Sequence, residues 1–205
     1  MTEPLYSLWF TEEMKGWFAL NEPDFQRGFN EGRRAGTSLM FHLTIRTDDV
    51  RRFIADRDHV GVANGWVECD VLGGRLPVER GVFNLFVDDG PSGRRKHMLY
   101  RLWLSDSVGR PLTLSGFKDI HPAGLTKVWP ETSTLYTRIE SGHVEVGGDD
   151  SAPLIGAGVL HILKRDFAKQ LTTFRVSGGD LGGRLRAFAA FGDLFAGQLW
   201  HVFGP

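Results

Sequence analysis

Cysteine is all but missing from this chain. Cys69 is the single one, which excludes an internal disulfide framework and a cysteine-only metal cluster. A surplus of charge of either sign is missing too, with 24 Lys and Arg against 25 Asp and Glu, for a net charge of -1. Such a chain has no broad electrostatic reach for nucleic acid or for an anionic membrane. No apolar run nears the roughly 18 residues of a spanning helix, so no transmembrane segment is expected. The opening MTEPLYSLWF carries an acid and no Lys or Arg, unlike a secretory leader. With one cysteine and no N-x-S/T acceptor, a cytoplasmic protein is expected.

The local signatures of common chemistry are missing as well. There is no G-x-G-x-x-G, no Walker loop, no G-x-S-x-G and no H-E-x-x-H. No nucleotide or flavin cofactor is therefore expected. None of the seven histidines pairs with another at metal-ligand spacing, so no metal is expected either.

What the chain has in quantity is glycine and aromatic side chains. Its 26 glycines are about twice the usual ~7%, and they fall between short apolar runs, as in an all-β domain with many turns. Residues 37–45 alternate cleanly, with Leu39, Phe41, Leu43 and Ile45 on one face and Met40, His42 and Thr44 on the other. A short helix should follow, capped by Thr47 or Asp48. Residues 64–72 read as a strand, and residues 81–120 as an antiparallel meander with turns at 88–97 and 105–110. Residues 121–129 read as a loop, with further strands at 132–140 and 155–163 and a flexible tip at 142–153.

The last segment changes period. Leu181, Leu185, Phe188, Phe191, Phe195 and Leu199 fall on one stripe, which predicts an amphipathic helix over about 183–202. A short internal echo links residues 43–54 and 160–171, each a strand running into an acid-started turn. The whole chain reads as one domain.

Candidate site residues follow from the strand pattern. His42, Glu68, Asp70 and His161 sit opposite or among the apolar residues of their strands. On a one-sided sheet they face water; in a barrel or cupped sheet they would line a cavity and could move protons as catalytic residues. The run Arg94-Arg95-Lys96-His97 reads as a solvated turn rather than a phosphate site. Six tryptophans exceed what a core of this size needs, and a cavity for a rigid apolar ligand would use them. Trp66 and Trp103, with Phe117, Lys118, Trp129, Glu131 and Tyr136 from one loop and its flanking strands, form the candidate ligand-binding set.

Five blocks resemble a known domain: FTEEMKGWF (10–18), GVFNLFVDD (81–89), LSGFKDI (114–120), VWPETSTLY (128–136) and GAGVLHILKRDFAKQLTT (156–173). Together they are similar to a poorly characterised bacterial domain of multidomain GMC-type oxidoreductases of the cholesterol-oxidase kind. The resemblance implies association with sterols, lipids or other large apolar substrates. It carries no flavin site and no catalytic residues to this chain.

The expectation is an all-β chain, an antiparallel sandwich or flattened barrel of roughly eight to ten strands, with short helices and a C-terminal amphipathic helix. The leading expected function is binding of an apolar small molecule in an aromatic-lined cavity. The alternatives are a cofactor-independent cyclase or isomerase, and an interaction module for a lipid-active oxidoreductase. A partner oxidoreductase and a second copy of the chain both stay open as partners.

Overall fold

The computed structural model describes residues 4–90, 93–122, 128–145, 152–162 and 172–203, apart from the side chains of Trp129 and Glu131. Its strands are β1 (Ser7–Leu20), β2 (Ser38–Thr47), β3 (Val60–Cys69), β4 (Gly74–Asp88), β5 (Lys96–Ser105), β6 (Pro111–Ile120), β7 (Thr134–Ser141), β8 (Leu154–His161) and β9 (Arg175–Ser177). Around them lie α1 (Phe25–Ala35), α2 (Val50–Ala55), α3 (Val128–Ser133) and α4 (Leu181–Phe203).

Strands β2 to β8 pair antiparallel in sequence order, and β1 then pairs with both β8 and β2. The eight strands therefore close on themselves as an up-and-down barrel, while β9 adds only Ser7–Trp9 pairing at the start of β1. Of the two expected architectures, the barrel is the one formed. The meander over 81–120 is present as β4, β5 and β6, with β5 and β6 in unbroken register from Lys96 to Ser105 and a shift in the β4–β5 pairing.

Alternation sets the inside. Leu39, Phe41, Leu43 and Ile45 of β2, and Met98, Tyr100, Leu102 and Leu104 of β5, are almost wholly buried. Aromatic contacts join strands three apart in the barrel order, which only a lumen permits. Phe10 of β1 meets Phe83 of β4 at 6.4 Å, and Phe41 of β2 meets Tyr100 of β5 at 5.8 Å between ring centroids. Irregularities in β3 (between Val62 and Trp66) and β4 (between Asn84 and Val87) sharpen the bend that closure needs.

Two elements precede the first expected strand. β1 spans 14 residues and serves two neighbours. Helix α1 starts at Asp24, whose carboxylate accepts from the Arg27 N–H, and ends at Gly36 in the left-handed region (φ 75°). It lies outside the barrel on β1 and β8. A Cβ at Gly28 would sit 2.1 Å from the Ala157 carbonyl oxygen, and one at Gly32 2.3 Å from that of Phe18. Glycine at both positions lets the helix rest directly on strand backbone.

Four expectations are corrected. The short helix after β2 is capped by Asp49, not Thr47 or Asp48, because Asp49 accepts from both Arg51 and Arg52 N–H. The strand expected at 64–72 runs from Val60 to Cys69 and gives way to a 3-10 turn at Asp70–Leu72. Residues 128–129 belong to α3 rather than to a loop. The helix α4 is present, yet Leu181, Leu185 and Phe188 are 65%, 63% and 48% exposed. Its buried side is Gly183, Ala187, Phe191 and Val202. Tyr6 sets that rotation. Its hydroxyl donates to Asp180, and its ring fills the space where a Gly183 side chain would stand. Phe191 then drops onto Phe53 and Phe174. Most of the second half of the internal echo (163–171) lies outside the described residues.

Gly32→Ala is expected to cost about 1–3 kcal/mol, because strand backbone must move. Gly192→Ala, in α4 with open space around its Cα, is expected to gain up to about 1 kcal/mol from helix propensity. Urea unfolding of the two variants measures both.

Candidate functional site

The lumen face of β1 reads Leu8, Phe10, Glu12, Met14, all buried. The lumen face of β6 reads Leu112, Leu114, Gly116, Lys118, Ile120. Alternation thus forces one carboxylate and one amine into an apolar interior. They meet across it, with Lys118 Nζ 2.5 Å from Glu12 Oε1 and side chains 3% and 2% exposed. Tyr100 of β5 donates its hydroxyl to the other carboxylate oxygen, Glu12 Oε2, at 2.8 Å. The Lys118 amine also lies 5.3 Å from the centre of the Tyr100 ring. Phe41 and Phe83 flank the same ring.

Both oxygens of Glu12 therefore have a partner, as a buried charge requires. Burial first, and the Glu12 charge second, push the Tyr100 phenol well above its ordinary range. That shift favours Tyr100 as the neutral donor. The lone thiol, Cys69, is pushed up to about 11 by burial, so it is no nucleophile.

A cleft of about 460 Å³ opens at the barrel end nearest this triad, between the strands and α4. Asp88, Lys96, Asp193, Leu194, Gln198 and His201 line it. Lys96 is buried and pairs with Asp88 at 2.5 Å. That bond, together with Arg57 and His201 nearby, holds the Asp88 carboxyl below the usual carboxylate range. Lys96 and Lys118 share the lumen side of the β5–β6 pair: Lys96 is opposite Ile120, and Met98, two residues on, is opposite Lys118. Lys118 thus lies about 7 Å along the strands from Lys96, and Tyr100 about 14 Å.

The expected site residues are spread differently. Lys118 is in the lumen. His42 is on the outer face, 3.4 Å from Glu13 and stacked on Trp66. Arg75 covers the Trp66 ring at 4.0 Å and pairs with Glu68. Asp70 is exposed in the 3-10 turn. His161 is also outside, edge-on to Phe29 of α1 and 3.3 Å from the Thr134 hydroxyl. Burial under that helix pushes its pKa down. Phe117 and Tyr136 are outside as well, both packed on Phe25 of α1.

Trp103 is an outer residue that is nonetheless buried. Its indole N–H donates to the Val144 carbonyl, and Arg80 lies over the ring. Trp129 and Glu131 are part of α3, with side chains outside the described structure. The lumen faces of β1, β2, β5 and β6 carry phenylalanine, leucine, isoleucine and methionine, with Tyr100 among them. None of the other five tryptophans is on those faces.

Outside, Asp119 gathers Arg95 through two bonds of 2.9 Å, with His97 and His121 within 3.7 Å. Burial raises its carboxyl, but the Arg95 pair outweighs it and the net shift is downward. Among the described residues no group of three or more His, Cys, Asp or Glu is placed to hold a metal ion.

Comparison with known protein families, with curated proteins and with solved structures gives no match to this chain. Among the described residues no helix is long and apolar enough to cross a membrane.

Glu12 and Tyr100 are the site residues that sequence reasoning missed. The signal was present in the alternation, since an acid stands where Leu8, Phe10 and Met14 set the apolar parity.

Lys118→Met strands the Glu12 charge and is expected to cost about 3–5 kcal/mol, while Glu12→Leu/Lys118→Met should recover most of it. Chemical denaturation measures both. On alkaline titration followed by phenolate absorbance, Tyr100 should stay silent until the fold is lost. An unfolded tyrosine releases its proton near pH ~10, whereas native Tyr100 keeps it. Its contribution to stability is therefore intact below that pH and falls as pH rises above it. Tyr100→Phe should flatten that alkaline fall.

Proposed function

We propose that the barrel binds a small molecule with an apolar body and one polar group. The body would lie among the lumen phenylalanines, and the polar group would meet Glu12, Lys118 and Tyr100. The observation that carries this reading is the ion pair crossing a largely apolar lumen.

A buried ion pair is a poor device for stability, because apolar side chains of similar volume usually do as well or better. It is a good device for recognition. Desolvated, oriented donors and acceptors among aromatic walls are what fix a ligand's head group. Closed barrels of eight strands are wide enough either to be filled by side chains or to hold one small ligand. A cleft lies at the same end of the barrel, lined in part by Lys96, two residues along β5 from the level of Lys118. The resemblance to a domain that accompanies cholesterol-oxidase-type enzymes points to the same class, sterols and other lipids.

A second reading is favoured by the hydrogen bonding itself. Glu12 accepts from Tyr100 and from Lys118, so an acid and a base share one desolvated site. A carbonyl compound held there would meet both, as a cofactor-independent isomerase or cyclase requires. In that case this triad, rather than His42, Glu68, Asp70 or His161, would carry the proton.

Native mass spectrometry of the delipidated protein with decanol, decanoic acid and cholesterol tests the binding reading. One ligand per chain is expected. Glu12→Gln/Lys118→Met, which leaves no lone charge, should weaken it by about tenfold or more. Equal binding by the wild type and the double variant, or no binding of any of the three, would reject it.

A further inference from the structure

The Lys118 amine is one of three on the described lysines, and the three differ sharply. Lys15 is on the outer face, 37% exposed beside Glu13. Lys96 is at the cleft, bound to Asp88. Lys118 alone sits within the aromatic part of the lumen, and its hydrogen-bond partner there is Glu12. Tyr100 holds the far oxygen of that carboxylate, so the near one stays fixed on the amine.

We infer that Lys118 forms an imine with an apolar aldehyde, with Glu12 carrying the proton. This rests on the ligand-binding reading above and names the chemical class of the ligand. The step begins when the Lys118 ammonium gives a proton to Glu12. The free amine attacks the aldehyde carbon; a C–N bond forms, and a proton passes from nitrogen to the former carbonyl oxygen. The Glu12 carboxylic acid then protonates that hydroxyl, which leaves as water as the C–N double bond forms. The sum is ammonium plus aldehyde giving iminium plus water. No oxidant or reductant is consumed.

Two features of the structure suit this chemistry. The first is charge. Ammonium facing carboxylate becomes iminium facing the same carboxylate, so no new charge has to be desolvated. Desolvation in an apolar pocket is a usual way in which a protein favours the free amine that condenses with a carbonyl, and Glu12 is placed to take the proton that amine gives up. The second is the surroundings. Phe41 and Phe83 pack on Tyr100, and Met98 stands opposite Lys118 on the neighbouring strand. Such walls exclude the water that would hydrolyse the imine. Lys96, at the cleft, is about 7 Å of strand from the level of Lys118.

Reductive trapping tests the inference. The intact protein is incubated with decanal and cyanoborohydride, weighed, and mapped by peptide. One decyl group on Lys118 is expected. Lys118→Arg keeps the cation and the Glu12 pair but has no amine to condense, and should lose the adduct. Glu12→Gln should form it about a hundredfold more slowly, with circular dichroism confirming the fold of both variants. Labelling of Lys15, Lys96 or other amines with Lys118 unmodified overturns the inference, as does equal labelling of the wild type and Lys118→Arg. Decanol binding measured in parallel separates the two failures. Binding of decanol without a Lys118 adduct rejects the imine alone; absence of both rejects the ligand-binding reading as well.

Discussion

Everything in this molecule depends on β1 having two neighbours. Its register with β2 runs from Leu8 to Trp17, and its register with β8 from Lys15 to Leu20. That double pairing turns a meander into a closed surface, leaves no long unpaired edge, and creates an inside distinct from an outside. Local pairing builds the rest, since β2 through β7 each bond to the next strand in sequence. Closure is the one step that joins the first strand to the last of the barrel.

Closure also gives the polar residues their meaning. In an open sheet with one wet face, Glu12 and Lys118 would be two charges on separate strands. In the barrel they face each other across the lumen with Tyr100 beside them. The outer polar residues are treated differently. His42, Glu68, Arg75 and Trp66 form a stacked, partly solvated ladder. Asp119 gathers Arg95 and two imidazoles near the surface, where water screens much of the Arg95 attraction. An imidazole or carboxylate outside has alternatives in solvent, whereas the lumen pair is satisfied by protein groups, Tyr100 among them.

The strand pattern was largely legible. Period-two alternation located β2, β5 and β6 to within a few residues, because each packs one face on the core. α1 was not, because its sequence FQRGFNEGRRA has only two large apolar residues; Phe25 and Phe29 pack on the barrel's outer face beside glycines that touch strand backbone. α4 was legible as a helix but not in its orientation. Its most apolar stripe includes exposed Leu181, Leu185 and Phe188, while Gly183 and Ala187 face inward because Tyr6 needs the room. Lys118 was singled out for its neighbours in the chain, and the barrel puts it to use with residues 106 and 18 positions away.

Sequence by itself determined the class of fold and the parity of each strand, because alternation against water is a local property. It also determined that a carboxylate and an amine stand on apolar faces. Which histidines and tryptophans would face a lumen was decided only by tertiary structure. So was the meeting of Glu12, Tyr100 and Lys118. The reason is that inside and outside become defined only once β1 has joined β8 to β2, and no local pattern states the direction in which a sheet will curl.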